Sequence, residues 1–267
     1  DYDEKKHEVA LTYFDDKGDT IKTFSTTNTK TDKLKVEKGL NQFIWDMTYE
    51  GAEKLDGMIL WWASLDGPQA IPGDYKVELA IKTTDSTKAN SIAPKIISET
   101  FKILADPRAE STAADMQKQF DFVVEVNETM DNAHKSIKKI RAITSQLKAF
   151  EKQYKDDESV KELKEKSKEL REDLTKIEEA LYQTKNRSGQ DPLNFPIRLT
   201  NKLGHLNALV TMGDFAPTDQ DITVKNELTE KINTQLNAFD KLLNEKIVAF
   251  NKAFNEKQLN YLFVEDK

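Results

Sequence analysis

From Phe120 onward the apolar residues recur every three or four positions, at Phe120, Val123, Val124, Met130, Ile137, Ile140, Ile143 and Leu147. Such spacing lines one side of an α-helix. No proline lies between Pro107 and Pro192, and no glycine between Gly73 and Gly189. The uninterrupted pattern predicts a helix of about 40 residues, roughly 60 Å long at 1.5 Å per residue. Val160, Leu163, Leu170, Leu174, Ile177 and Leu181 repeat the spacing with Ser167 in the one missing seam position, and Lys and Glu fill the outer positions. That is the pattern of a second long helix packed in coiled-coil fashion. A third helix is expected to end near Met212, and Pro217-Thr218 introduces a fourth carrying Leu228, Ile232, Leu236, Phe239, Leu243, Ile247, Phe250 and Phe254. The expectation is an up-and-down four-helix bundle over residues 106–267, with long helices at about 112–153, 158–186, 193–212 and 218–256. Asp191-Pro192 and Phe195-Pro196 delay and fix the start of the third helix, with Asp191 as its N-cap candidate.

Upstream of Asp106-Pro107-Arg108 the periodicity is two. Val9, Leu11 and Tyr13 alternate with Ala10, Thr12 and Phe14, and a second short run, Ile21 to Phe24, follows the glycine-containing turn Asp15-Asp16-Lys17-Gly18-Asp19. This predicts a hairpin. The acidic turn lacks the spaced ligands and distal glutamate of an EF-hand, so a plain turn is expected there. Further strands are expected at Leu40–Met47, Met58–Trp62, Asp74–Thr83 and Lys95–Leu104, with an exposed loop between Thr84 and Pro94. Tyr75, Val77, Leu79 and Ile81 give the cleanest alternation. Several short strands separated by turn signals predict an Ig-like antiparallel β-sandwich over residues 1–105, so the fold class is α+β with two domains.

A formal net charge of -7 with 33% charged residues describes an acidic surface and disfavours nucleic acid as a partner. No stretch reaches the length and apolarity of a membrane span. The absence of cysteine removes disulfides, thiol catalysis and thiolate metal sites. The chain opens at Asp1 without a methionine or an apolar leader, and the expectation is that it continues a longer protein.

Reactive groups do not converge in the sequence. His7, His134 and His205 are the only histidines, and none has a partner at metal-ligand spacing. His134 falls in the helical seam and is expected to be a packed core histidine. His205 follows Gly204, whose lack of a side chain permits close approach of a neighbour. No GxSxG, P-loop or GxGxxG occurs. Helical carboxylates have lysine partners on wet faces, the wrong setting for a general acid. Asp46 and Asp66 are the only pair that a glycosidase reading could use. No catalytic residue, cofactor or metal is therefore expected. The candidate ligand or interface residues are Trp45, Asp46, Trp61, Trp62 and His205, because exposed aromatics can serve as a sugar-stacking platform or a protein contact. Within "LNQFIWDM" (Leu40 to Met47), alternation sends Trp45 and Asp46 to opposite faces. Trp45 with Phe43 is expected in the core, and Asp46 at a nearby turn. The same rule sends Trp61 and Trp62 to opposite faces of their strand.

The segments "VALTYFDDKGDTIKTF" from Val9, "KGLNQFIWDM" from Lys38 and "AIPGDYKVEL" from Ala70 resemble the immunoglobulin-like domain of flagellar hook-capping proteins. The match runs through Gly39, Asn41, Phe43, Trp45, Asp46, Pro72, Gly73 and Tyr75. Over nearly the whole chain, "WDMTYEGA", "ADPR", "QFDF", "DPLNFPIRLTNKLGHL" and "GDFAPT" resemble the C-terminal region of secreted Bacteroidetes-type proteins with sortilin-like, Asp-box β-propellers, often labelled glycosyl hydrolase-like. Those relatives usually carry arginine at the position of Thr48 and glycines where Trp62 and Ala63 stand. The resemblance implies a non-catalytic accessory region of a secreted or periplasmic protein. Its partners would be an upstream β-propeller domain of the same chain, another protein or a glycan.

Overall fold

The computed structural model describes residues 3–28, 32–83 and 93–259. It is α+β, and the chain forms two compact units. One comprises residues 1–51, 66–124 and 213–216, and the other comprises residues 52–65, 125–212 and 217–267. The sequence pattern places one boundary near residue 105, whereas these units assign Ala52–Leu65 to the helical part and the first turns of the long helix to the sheet part.

In the first unit, β1 (His7–Phe14), β2 (Thr20–Ser25), β3 (Gly73–Thr83) and β4 (Lys95–Ile103) make one antiparallel sheet in the order β2-β1-β3-β4. The predicted hairpin is β1–β2. Its turn closes through the Asp15 carboxylate, whose Oδ1 accepts the Lys17 and Asp19 backbone N–H groups at 3.0 and 2.8 Å. Gly18 takes φ +85°, which a side chain would strain. Register places Leu11 opposite Leu79, Tyr13 opposite Val77 and Tyr75 opposite Phe101, so the period-two pattern delivers one apolar face. The predicted loop from Thr84 lies largely outside the described residues.

Two expected strands do not form. Leu40–Met47 and Met58–Trp62 carry no strand, and among the described residues no second sheet faces the first. What covers the sheet is irregular chain: Leu34, Val36, Trp45, Tyr49 and Ala70 pack on Val9, Tyr13, Phe24 and Tyr75. Of the positions in 40–47 that alternation sends inward, Trp45 is half-buried, whereas Phe43, expected in the core beside it, is 36% exposed with its ring 4.6 Å from that of Phe24, and Met47 is exposed, as are Leu40 and Ile44. A ladder needs a partner with free backbone groups, and without one nothing holds the pleat that would turn every second side chain inward. In place of a ladder, Asn41 closes its own loop, accepting from the Glu37 N–H at 2.8 Å and donating to the Glu37 and Gly39 carbonyls.

The helices are α1 (Ala113–Gln153), α2 (Lys161–Leu181), α3 (Leu199–Val210), α4 (Asp219–Leu242) and α5 (Val248–Glu256), the last two joined by a π-helical turn, Leu243–Ile247. Thr112 and Asp115 cap α1 reciprocally, and Thr218 with Asp221 forms a capping box on α4. The missing seam position in α2 is occupied rather than vacant. Ser167 is fully buried and donates to Glu151 Oε1 at 2.7 Å, while Arg171 grips the same carboxylate through two bonds of 2.8 Å. Burial raises the Glu151 pKa, but these partners outweigh it and hold the carboxyl below its usual range.

The third helix is shorter than the pattern predicts. Asp191–Leu193 forms only a 3-10 turn and α3 begins at Leu199, beyond Pro196. Asp191 therefore caps no α-helix. Its carboxylate accepts the Arg187 and Ser188 backbone N–H groups, closing the preceding turn, and these bonds lower its pKa. Each proline lacks the N–H that would extend a helix through this stretch and biases the residue before it away from helical angles.

Candidate functional site

The five sequence candidates separate into two groups. Trp45 and Asp46 belong to the sheet unit, and Trp61, Trp62 and His205 to the helical unit. Trp45 is half-buried and stacks on Tyr13 with ring centroids 4.3 Å apart, with Tyr75 and Phe101 edge-on to it. Its Nε1–H donates to the Thr48 carbonyl at 3.1 Å. Asp46 points elsewhere: its Oδ1 accepts both the backbone N–H and the hydroxyl of Thr48, at 3.0 and 2.7 Å. This pair is an aromatic core anchor beside an Asx-type turn. Burial also raises the phenol pKa values of Tyr13, Tyr49 and Tyr75 around it, so these hydroxyls stay protonated.

In the helical unit, Ala52–Leu65 leaves the sheet part of the sequence as a loop whose ends meet through an Ala52 N–H to Leu65 carbonyl bond of 2.7 Å. Its length falls in the range of compact Ω-loops, roughly 6–16 residues. Ala52, Leu55 and Leu65 are buried. Side chains from the helices replace the ladder that a strand would have made. Near its start, Glu53 N–H donates to Asp131, the Glu53 carbonyl accepts from His134 Nδ1 at 2.6 Å, and its carboxylate pairs with Lys138. Ile59 N–H donates to the Tyr182 hydroxyl at 2.9 Å.

The densest attachment is to α3. Asn201 Oδ1 accepts the Trp61 N–H at 2.7 Å and its Nδ2 donates to the Trp61 carbonyl at 2.8 Å, imitating one rung of a strand pair. Ser64 N–H donates to the Gly204 carbonyl at 2.9 Å. A Cβ on Gly204 would lie 3.1 Å from Ala63 Cβ and 3.3 Å from the Ser64 carbonyl oxygen, so the close approach suggested by Gly204-His205 is real. His205 Nδ1 lies 2.6 Å from the Trp62 carbonyl and donates to it.

Between these fixed points stands Trp62, 73% exposed. Its φ of +48° is left-handed, where a bulky side chain costs about 1–2 kcal/mol. Because 58–62 is not a strand, the two adjacent tryptophans do not go to opposite faces. Their rings lie within 26° of parallel with centroids 6.4 Å apart. Sequence reasoning found the residues but misjudged the backbone. Asn201, which holds Trp61 in place, escaped it altogether. The only signal was an amide in the first turn of a helix at a position that packing would otherwise fill.

Chemical groups elsewhere are bound into structure. His134 is fully buried; burial lowers its pKa, opposed by the Glu53 carbonyl. The Asp106, Asp115 and Asp157 carboxyls are held below their usual range by hydrogen bonds to neighbouring caps and turns. Among the described residues no group of three or more histidine, aspartate or glutamate side chains could hold a metal ion, and no helix is long and apolar enough to cross a membrane. No protein-family profile, curated protein or solved structure matches the chain.

Proposed function

We propose that this chain is a non-catalytic interaction module, the accessory region of a larger secreted or periplasmic β-propeller protein, and that it contacts the propeller or a partner protein through the surface bearing Trp62. In that reading the sheet unit is an Ig-like scaffold with an irregular second layer, and the helices form an up-and-down bundle that carries the loop. One observation supports it above the others: a large aromatic is held 73% exposed in left-handed backbone, with the flanking Trp61 and Ser64 tied to α3. An unsupported exposed tryptophan would relax into an unstrained conformation or collapse onto the apolar surface beside it. Rigid exposed tryptophans are the residues that dominate protein interfaces, since little entropy is lost when they become buried.

Acrylamide quenching of tryptophan fluorescence tests this. In the isolated chain a steeply quenched component should vanish in Trp62→Ala. Joined to the preceding propeller domain, or mixed with the partner, the wild-type protein should lose that component. Equal quenching in the isolated and joined proteins, with no partner-dependent protection, would refute the proposal. The near-parallel rings of Trp61 and Trp62 support a second reading, a glycan-stacking surface. A saturable, sugar-dependent emission shift that is lost in folded Trp62→Ala would favour it instead.

A further inference from the structure

The sheet unit ends on an open strand, a feature independent of Trp62. β4 is the last strand in the order β2-β1-β3-β4. Every residue from Lys95 to Thr100 is exposed, Ile96 by 58% and Ile97 by 46%. Only from Phe101 does the irregular layer reach the strand, through Trp45, whose ring centroid lies 6.3 Å from that of Phe101. Among the described residues the backbone of β4 finds backbone partners only in β3, so alternate N–H and C=O groups along its outer side are left to solvent. An edge of this kind is a template for another strand.

Charges on an edge strand normally keep other strands away. Here they are arranged to admit one register. Lys95 and Glu99 share the core-side face of β4, opposite Ile81 and Val77 of β3, and lie two residues to either side of Ile97. Lys102, on the other face, pairs across the ladder with Asp74 at 3.3 Å, whereas among the described residues neither Lys95 nor Glu99 has a salt-bridge partner. Residues directly opposite in an antiparallel pair turn their backbone groups either both toward each other or both away. A two-fold axis between identical strands must therefore pass through a residue, not between two. Centred on Glu99, where overlap is fullest, the axis would set two carboxylates against each other, which destabilises the pair. Centred on Ser98 it would set Glu99 opposite Ile97 and Lys95 opposite Phe101, and centred on Thr100 it would set Glu99 opposite Phe101. Centred on Ile97 it sets Ile97 against its own copy, Ile96 against Ser98, and Lys95 of each copy against Glu99 of the other. No other centre on β4 brings its lysines and glutamate opposite one another.

We propose that two copies of this chain join edge to edge through β4, antiparallel, about a two-fold axis at Ile97, so that two four-stranded sheets become one continuous sheet. Each copy presents the same patch, as an isologous contact requires. An apolar pair sits on the axis, a Lys95–Glu99 pair flanks it on each side, and backbone bonds run between the two Lys95–Glu99 segments. Five paired residues a side are fewer than the roughly 20–30 of a standard interface, so the dimer is weak and exchanges with monomer.

The test is sedimentation velocity of the full chain from about 1 to about 500 μM, which should show a monomer–dimer equilibrium with Kd on the order of tens of micromolar. Lys95→Glu sets like charges at both flanks and should weaken the dimer about tenfold or more. Lys95→Glu/Glu99→Lys restores opposite charges and should return Kd to within about threefold of wild type. Both positions are exposed, so urea midpoints should hold in every variant. Because the chain contains no cysteine, Ile97→Cys places its only thiol on the axis, where opposed Cα atoms lie about 4.5–5.5 Å apart and within disulfide reach. Mild oxidation should give a covalent dimer at least about tenfold faster than with Thr100→Cys, whose two thiols would stand about 20 Å apart along the strands. Trp62→Ala should leave self-association unchanged, so failure here and failure of the Trp62 surface are separable. A monomer at every concentration, a double variant no tighter than Lys95→Glu, Thr100→Cys cross-linking as fast as Ile97→Cys, or loss of the dimer in Trp62→Ala would overturn the proposal.

Discussion

Asn201→Ala is the most direct probe of how the Trp62 loop is held. Asn201 is 4% exposed and makes both hydrogen bonds that a strand neighbour would make to Trp61, at 2.7 and 2.8 Å. Each such bond contributes about 1 kcal/mol net, and truncation leaves the partly buried Trp61 N–H and carbonyl without partners. The loss should therefore be about 2–3 kcal/mol in the stability of the helical unit, a roughly 30- to 150-fold change in its folding equilibrium. The attachments at Ile59–Tyr182 and Ser64–Gly204 remain, so the helices should stay folded and the loop should loosen locally. Urea unfolding followed at 222 nm reads the first quantity. Amide hydrogen exchange across Ile59–Ser64 reads the second, with the Trp61 amide accelerated most. A stability change below about 0.5 kcal/mol with unaltered exchange would show that Asn201 does not hold the loop and would remove the structural reason for Trp62's exposure.

Trp62→Gly should leave stability unchanged or raise it by up to about 1 kcal/mol, because glycine adopts a φ of +48° freely, while any partner contact is lost; chemical denaturation alongside the quenching assay separates the two effects. Gly67→Ala should destabilise the sheet unit by more than about 2 kcal/mol, since its Cβ would fall 2.3 Å from the Tyr49 carbonyl oxygen, and urea titration should show a lowered midpoint. His134 supplies a pH dependence. Its Nδ1 donates to the Glu53 carbonyl, its Nε2 is buried without a partner, and burial depresses its folded pKa below the unfolded value of about 6.5. Below that value the unfolded chain binds the proton more readily, so stability should fall as pH drops, by at most about 1.4 kcal/mol per unit. Denaturation midpoints measured between pH 7.5 and 5.5 should show the slope, and His134→Gln should flatten it.

The parts of this chain that could be read in advance are those whose structure follows from local spacing. The long seams of α1 and α2 and the β1–β2 hairpin need only neighbours a few residues away to be specified. The facing of Trp45 and Asp46 follows from alternation although no strand forms there, whereas Phe43, which the same rule sends into the core, is exposed. Facing depends on where the core lies, and Tyr13 and Phe101 supply that core whether or not residues 40–47 find a ladder. The sequence pattern extends the third helix back to Leu193, whereas Pro196 decides the matter through backbone sterics and α3 starts at Leu199.

Residues 52–65 could not be read in the same way. Ile59-Leu60-Trp61-Trp62 has the composition of a strand, and a strand is a statement about backbone partners. Here those partners are the side chains of Asn201, Tyr182 and His205, at least 120 positions away. Nothing in the local pattern distinguishes a backbone satisfied by another backbone from one satisfied by an amide on a helix. The difference matters for function. A ladder would have put Trp61 and Trp62 on opposite faces and left at most one of them available, whereas attachment through Asn201 and His205 frees the Trp62 backbone to turn left-handed and sets both rings near parallel. The exposed aromatic surface is thus a product of the long-range attachment, which is why loosening that attachment at Asn201 should weaken the surface without unfolding the helices beneath it.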